Sequence, residues 1–124
     1  MKIVEKGTTV SYTAGDIIYR PDFLVQDPGA FLILDGEVEV TRKYTPLQKE
    51  VFVHGPGELF GVLEIYTGGT RQTEARARGD VRVIAFTRAQ LERNMVADLN
   101  FGILAIRVLS KMLRQLNSKI KTLS

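Results

Sequence analysis

Up to Phe86 the apolar residues come in short runs separated by turn signals; beyond it they recur at helical spacing. Ile17-Ile18-Tyr19 lies between Gly15-Asp16 and Pro21-Asp22. Phe31-Leu32-Ile33-Leu34 and Val38-Glu39-Val40 flank Asp35-Gly36. That dipeptide predicts a hairpin, because a type I′ turn needs positive φ at both central residues. Glu37 to Arg42 alternates polar and apolar as a half-buried strand does, and Glu74-Ala75-Arg76-Ala77-Arg78 alternates small and polar residues. Val51-Phe52-Val53 stops at Gly55-Pro56-Gly57, and Val81 to Phe86 follows Gly79-Asp80. Short strands at regular intervals predict a sandwich or barrel over about residues 8–86.

The period changes at Thr87. Thr87-Arg88-Ala89-Gln90 matches a capping box and opens a short helix over about 88–94. Asp98 is a second N-cap, opening a long helix over about 98–122 that no proline interrupts. Leu99, Ile106, Leu113 and Ile120 fall at one heptad position; Gly102, Leu109, Leu116 and Leu123 fall at the other. This seam predicts a two-stranded coil with a second copy. Ile103, Leu104, Val108 and Met112 widen the stripe in the first half, where the helix is expected to pack on its own domain. The narrower second half is expected to meet the partner, and Gly102 allows a close backbone approach.

The length of 124 residues supports one core, and 44% apolar with 25% charged residues is an ordinary globular balance. No apolar run approaches the length of a membrane span, and charged Lys2 and Glu5 stand where a signal peptide needs an apolar stretch. The expected location is therefore cytoplasmic, which fits the absence of cysteine. Without cysteine there are no disulfides, thiolate metal sites or thiol nucleophile, and the single histidine, His54, cannot build a zinc site. His54 and Glu58 read as turn residues, and the dispersed Tyr12, Tyr19, Tyr44 and Tyr66 as sheet or loop packing. No nucleophile elbow, phosphate-binding Lys-Ser/Thr loop or His-Glu-x-x-His is present, so no enzyme activity, metal or obligatory cofactor is expected.

Net charge is +3, unevenly distributed. Arg107, Lys111, Arg114, Lys119 and Lys121 leave twelve bases against fourteen acids in the first 106 residues. Arg107, Arg114 and Lys121 share a stripe at seven-residue spacing, which suits a solvated helix face near its C-terminus or non-specific contact with nucleic acid.

The chemistry concentrates between Gly55-Pro56-Gly57 and Arg71. Glu58-Leu59-Phe60-Gly61-Val62-Leu63-Glu64-Ile65 predicts a tight turn and a short apolar helix, followed by the loop Tyr66-Thr67-Gly68-Gly69-Thr70. Free backbone N–H groups opposite a guanidinium make a place for a phosphate. Each residue here also has a plainer role: Phe60 as core, Gly61 as a tight turn, Arg71 as a surface arginine paired with Glu74.

Taken together these segments resemble the cyclic-nucleotide-binding domain of the catabolite activator protein superfamily (CRP/FNR) of transcription regulators, over nearly the whole chain. Ala14 to Tyr19 resembles the family's first strand, Ala30 to Val40 its hairpin, and Gly55 to Gly61 the approach to its phosphate-binding cassette. The resemblance implies a mainly β double-stranded β-helix (jelly roll) followed by C-terminal helices, the last of them a long dimerisation helix. It implies a cassette of Phe60, Gly61, Val62, Leu63, Arg71 and Gln72, with Arg71 on the cyclic phosphate, and base contacts from about Asn117 and Ser118.

Two departures stand out. Val62 occupies the position of the family glutamate that accepts from the ribose 2′-hydroxyl, and Gln72, Thr73 and Glu74 replace small residues. Val62 argues against cyclic AMP and cyclic GMP as ligands, since valine accepts no hydrogen bond. Glu64 lies about 200° around a helix from position 62, an unfavourable place from which to replace that carboxylate. Two functions stay open: a ligand-sensing regulatory module taking a cyclic nucleotide or another small anion, and a ligand-free dimerisation or protein-interaction module. Either is expected to be a homodimer through Ile106, Leu109, Leu113, Leu116, Ile120 and Leu123. DNA is a partner only through an output domain that 1–124 does not supply, and no membrane contact is expected. The chain is either a stand-alone domain or a piece of a longer regulator.

Overall fold

Among the described residues, eight strands fold into two four-stranded sheets, and three helices cover one of them. We describe a computed structural model, which covers the backbone of residues 7–67 and 69–123; the side chains of 67, 112, 113 and 115–123 lie outside the described residues. The elements run β1 (Thr8–Tyr12), β2 (Ile17–Tyr19), β3 (Ala30–Asp35), β4 (Val38–Thr45), β5 (Gln48–His54), β6 (Leu59–Phe60), α1 (Val62–Thr67), β7 (Glu74–Ala77), β8 (Val81–Phe86), α2 (Arg88–Ala97) and α3 (Leu99–Leu123). One sheet has the order β1-β8-β3-β6, the other β2-β7-β4-β5. Every pairing is antiparallel, and apart from β4 and β5, which pair with each other, consecutive strands alternate between the sheets, as in a jelly roll.

The burial pattern of β3 explains why its sequence is apolar throughout instead of alternating. Phe31 and Ile33 point into the roll, where they meet Tyr19, Val38, Val40, Phe60 and Val83. Ala30 and Leu32 point the other way, into a second core with Leu59, Val62, Phe86, Leu91, Phe101 and Ala105. This sheet is thus buried on both faces, which favours a continuous apolar run. Strand β4 has only one buried face, with Val38 and Val40 inside, and there the alternation is plain.

Asp35-Gly36 does not make a hairpin. Strands β3 and β4 lie in different sheets, and the dipeptide carries the chain across the corner between them. Gly36 has φ of 87°, whereas Asp35 stays in its strand opposite Arg82, so the second positive φ of a type I′ turn is missing. A Cβ on Gly36 would stand 2.3 Å from the Asp80 carbonyl oxygen. The true hairpin joins β4 to β5, in register from Val38↔His54 to Lys43↔Lys49, with a one-residue shift before Thr45↔Gln48. Its turn is closed by Thr45 Oγ1, which accepts from the Leu47 and Gln48 N–H groups at 3.3 and 3.0 Å.

Thr87 caps α2 with a full capping box. Its hydroxyl accepts from the Gln90 N–H at 3.1 Å, and Gln90 Oε1 accepts from the Thr87 N–H at 2.9 Å. Asp98 Oδ1 accepts from the Phe101 N–H at 3.1 Å and opens α3. Phe101 and Ala105 are fully buried under the sheet, with Leu104, Val108 and Leu109 packed beside them. Gly102 serves contact within the chain: a Cβ there would lie 2.9 Å from the Met95 carbonyl oxygen of α2. Leu99 and Ile106 are 77% and 59% exposed, on the face turned away from the domain. Of the predicted seam, Leu109 therefore packs on its own core; the side chains of Leu113, Leu116, Ile120 and Leu123 lie outside the described residues.

Two stability effects are expected. Thr87→Ala removes the cap and lowers unfolding free energy by about 1 kcal/mol in denaturant titration. Gly36→Ala is strained by both its φ and the Asp80 carbonyl, and costs more than about 1 kcal/mol in the same assay.

Candidate functional site

Arg71 is held from every side by the segment around it. It follows the 69–70 loop and is clasped by the 20–29 loop between β2 and β3. The Arg71 N–H donates to the Phe23 carbonyl at 2.7 Å, and the Arg71 carbonyl accepts from the Asp22 N–H at 2.9 Å. The Val25 N–H donates to the Gly69 carbonyl at 2.7 Å, so the two loops are sewn together.

Its guanidinium is buried, with the residue 3% exposed. Nη2 donates to the Gly29 carbonyl at 2.7 Å, and Nη1 to the Gly61 carbonyl at 2.9 Å and to Glu64 Oε1 at 3.3 Å. The face of the guanidinium lies 4.0 Å from the centroid of the Tyr19 ring, a cation–π arrangement. Gly61 has φ of 79°, and a Cβ there would come within 2.8 Å of the Gly29 carbonyl oxygen and 3.1 Å of Arg71 Nη1. Glycine is needed at 61 so that the turn can pass its carbonyl to Arg71.

Glu64 projects from α1 and is 2% exposed. Besides Arg71, its carboxylate accepts a short bond from the Gln72 N–H, and Thr73 Oγ1 lies 3.2 Å from both carboxylate oxygens. Guanidinium, amide and hydroxyl come from three consecutive residues and converge on one carboxylate. Burial pushes the Tyr19 phenol well above its ordinary range; the nearby Glu64 charge adds to this, while Arg71 opposes it. Removing either partner of such a buried pair strands the other charge, typically at about 3–5 kcal/mol.

The residues of the predicted cassette are close in space but differ in role. Phe60 stacks on Phe31, with ring centroids 4.9 Å apart, inside the roll. Val62 is fully buried in the second core, beneath the helices, and Leu63 is buried as well. Gln72 offers its backbone N–H to Glu64, while its side chain donates to Thr70 Oγ1 at 3.3 Å at the surface. Glu74 pairs with Arg76 at 3.3 Å instead of with Arg71. The side chains of Asn117 and Ser118 lie outside the described residues.

Sequence reasoning judged Glu64 unfavourably placed, read Tyr19 as sheet or loop packing and Thr73 only as a departure from the family pattern, and missed Gly29. The signal for Glu64 was present: on a helix with about 100° per residue, a position opposite the core-facing Val62 turns toward the cassette. Tyr19 and Gly29 come from a loop and strand far away in sequence, and nothing local marks them.

Two recesses touch Arg71. One, of about 320 Å³, is lined by Pro21, Asp22, Thr41, Lys43, Arg71, Gln72 and Glu74. A smaller one, of about 170 Å³, includes Tyr19, Phe23, Gln26 and Phe31. A larger groove of about 420 Å³ lies away from Arg71, along Ser11 to Thr13 and Asp80 to Arg82; Arg82 there is paired with Asp35 at 2.7 Å. His54 ends β5 and shares a 3.0 Å bond with Glu58. Arg107 and Arg114 are exposed on α3, and the Lys121 side chain lies outside the described residues. Among the described residues no cluster of carboxylates or histidine could hold a metal ion, and no helix is long and apolar enough to cross a membrane.

Comparison with known proteins gives this arrangement a context. The CRP-like cAMP-activated global transcriptional regulator of Mycobacterium tuberculosis is 29% identical over 105 residues, a match covering 82% of this chain and 46% of that protein. The chain thus spans about half the length of the curated relatives it matches. The catabolite activator protein of Thermus thermophilus superposes with a TM-score of 0.75 at 24% identity, over 94% of this chain and 55% of that one. A transcriptional regulator from Thermotoga maritima gives 0.76 at 12% identity, over 95% and 92%. Both share the fold. The family model of the cyclic nucleotide-binding domain matches residues 9–98, from β1 through the cassette to the end of α2, and the chain belongs to that family.

Proposed function

We propose that this chain is a regulatory module on the cyclic-nucleotide-binding scaffold, that it works as a homodimer through α3, and that its cassette is closed to cyclic AMP and cyclic GMP. One observation carries the reading: the Arg71 guanidinium is already engaged by two backbone carbonyls and by Glu64. A cyclic phosphate would have to break the Glu64 contact to reach it. Val62 adds to this, because it lies in the core and offers no acceptor to a ribose hydroxyl. A buried hydroxyl without a partner costs about 1–3 kcal/mol.

The route from the cassette to the helix is short. Val62 of α1 and Leu59 of β6 share one core with Phe101 and Ala105 of α3, so a shift at the cassette is felt by the helix. Two packings of that core, biased by whatever acts on the roll, constitute a switch. Exposed Leu99 and Ile106, seven residues apart, supply the face for a second copy. The output would be transcriptional, the activity of the M. tuberculosis relative, exerted through a further segment or a separate protein.

A second reading, a sensor of a small anion other than a cyclic nucleotide, is favoured by Lys43 and Arg71 bordering the same 320 Å³ recess. Asp22 and Glu74 line the same recess and weaken its positive field.

In calorimetry the wild-type chain is expected to give no saturable heat with millimolar cyclic AMP or cyclic GMP, and no thermal shift. Saturable binding of either at micromolar concentration would overturn the closed-cassette reading. In sedimentation velocity the wild type is expected to run as a dimer. Ile106→Glu should run as a monomer with its strand circular dichroism intact; a variant that keeps the wild-type mass would remove α3 as the dimer contact.

A further inference from the structure

We infer that Glu64 is the resident anion of this cassette: its carboxylate occupies the donor set that would otherwise hold an external oxyanion, and it sets the specificity of the site against phosphates. The inference deepens the proposal above that the cassette is closed.

The donors are those an oxyanion site requires. A guanidinium, a backbone N–H and a hydroxyl converge from Arg71, Gln72 and Thr73 on a single buried acceptor. Such groups bind carboxylate and phosphate oxygens alike, since both present charged acceptors at similar separations. The acceptor here is supplied by α1, from the face opposite Val62. Because Val62 is fixed in the helical core and Gly61 is fixed by its φ and by Arg71, the helix cannot easily rotate Glu64 away. An incoming oxyanion would meet a like charge at the same donors, where Glu64, Arg71 and Thr73 are buried and so weakly screened by solvent.

The alternative is that Glu64 only packs, and that Arg71, Gln72 and Thr73 would not accept any other anion. The two differ in what happens when the carboxylate is deleted. Glu64→Ala leaves three convergent donors around a space of carboxylate size. Acetate restores the deleted group, and inorganic phosphate tests the family's chemistry.

Thermal unfolding of the full chain would be followed in acetate, phosphate and chloride at one ionic strength. The wild type is expected to unfold at the same Tm in all three. Glu64→Ala should unfold at lower Tm in chloride and regain much of the loss, saturably, in acetate or phosphate. No recovery of Glu64→Ala beyond chloride overturns the inference. So does a wild type stabilised by phosphate as much as the variant; that result would favour the anion-sensor reading. Should Glu64→Ala fail to fold, the Gln72 amide resonance of the wild type decides. It is expected downfield, from its hydrogen bond to a carboxylate, and unmoved by phosphate. A resonance that titrates with phosphate shows an open cradle and overturns the inference. Calorimetry of the wild type with cyclic AMP tests the closed cassette separately. Binding there, with oxyanion rescue of Glu64→Ala intact, would reject the earlier reading while leaving the donor set assigned.

Discussion

The buried pair between Arg71 and Glu64 is the contact on which this structure turns. Both groups are almost wholly out of water, and each is stable there because the other side chain and surrounding dipoles answer its charge. Arg71 gathers the Gly29 and Gly61 carbonyls as well, so three separate stretches of chain meet at one guanidinium. The 20–29 loop, the turn into α1 and the 69–73 segment all meet at that convergence. A buried charge cluster satisfied in this way is rigid, since moving one member leaves the others without partners.

The same cluster separates this domain from what its family membership alone would suggest. In a cassette meant for a ligand, donors wait for an acceptor that arrives from solution. Here the acceptor is a side chain of the same domain, delivered by a six-residue helix. In the module proposed above, regulation would be a matter of how the roll and helices pack, through the core that joins Val62 to Phe101 and Ala105. In that proposal the long helix would carry the change outward, because its inner face belongs to the domain while Leu99 and Ile106 remain turned away from it.

Much of the fold was legible in the sequence. Alternation marked β4 and β7, the capping box at Thr87 marked α2, and the resemblance to the cyclic-nucleotide-binding domain is carried by the family match across residues 9–98. The Asp35-Gly36 signal misled, because a local dipeptide reports that the chain turns and not which sheet receives it. Gly102 does allow the close backbone approach its heptad place suggests, but the sequence does not name the neighbour, which is Met95 of the same chain.

The site divides along the same line. By itself the sequence determined that Phe60, Gly61 and Arg71 stand in the cassette positions, that Val62 cannot accept a hydrogen bond, and that no cysteine or histidine cluster competes for another chemistry. Those are properties of residue type and order, which need no coordinates. Only the tertiary structure decided that Arg71 is buried, that Tyr19 lies against it, and that Glu64 meets it with Gln72 and Thr73. Tyr19 is far from Arg71 along the chain, and Glu64 reaches its partners across an intervening loop; both contacts are fixed by how a jelly roll folds two loops and a short helix onto one point.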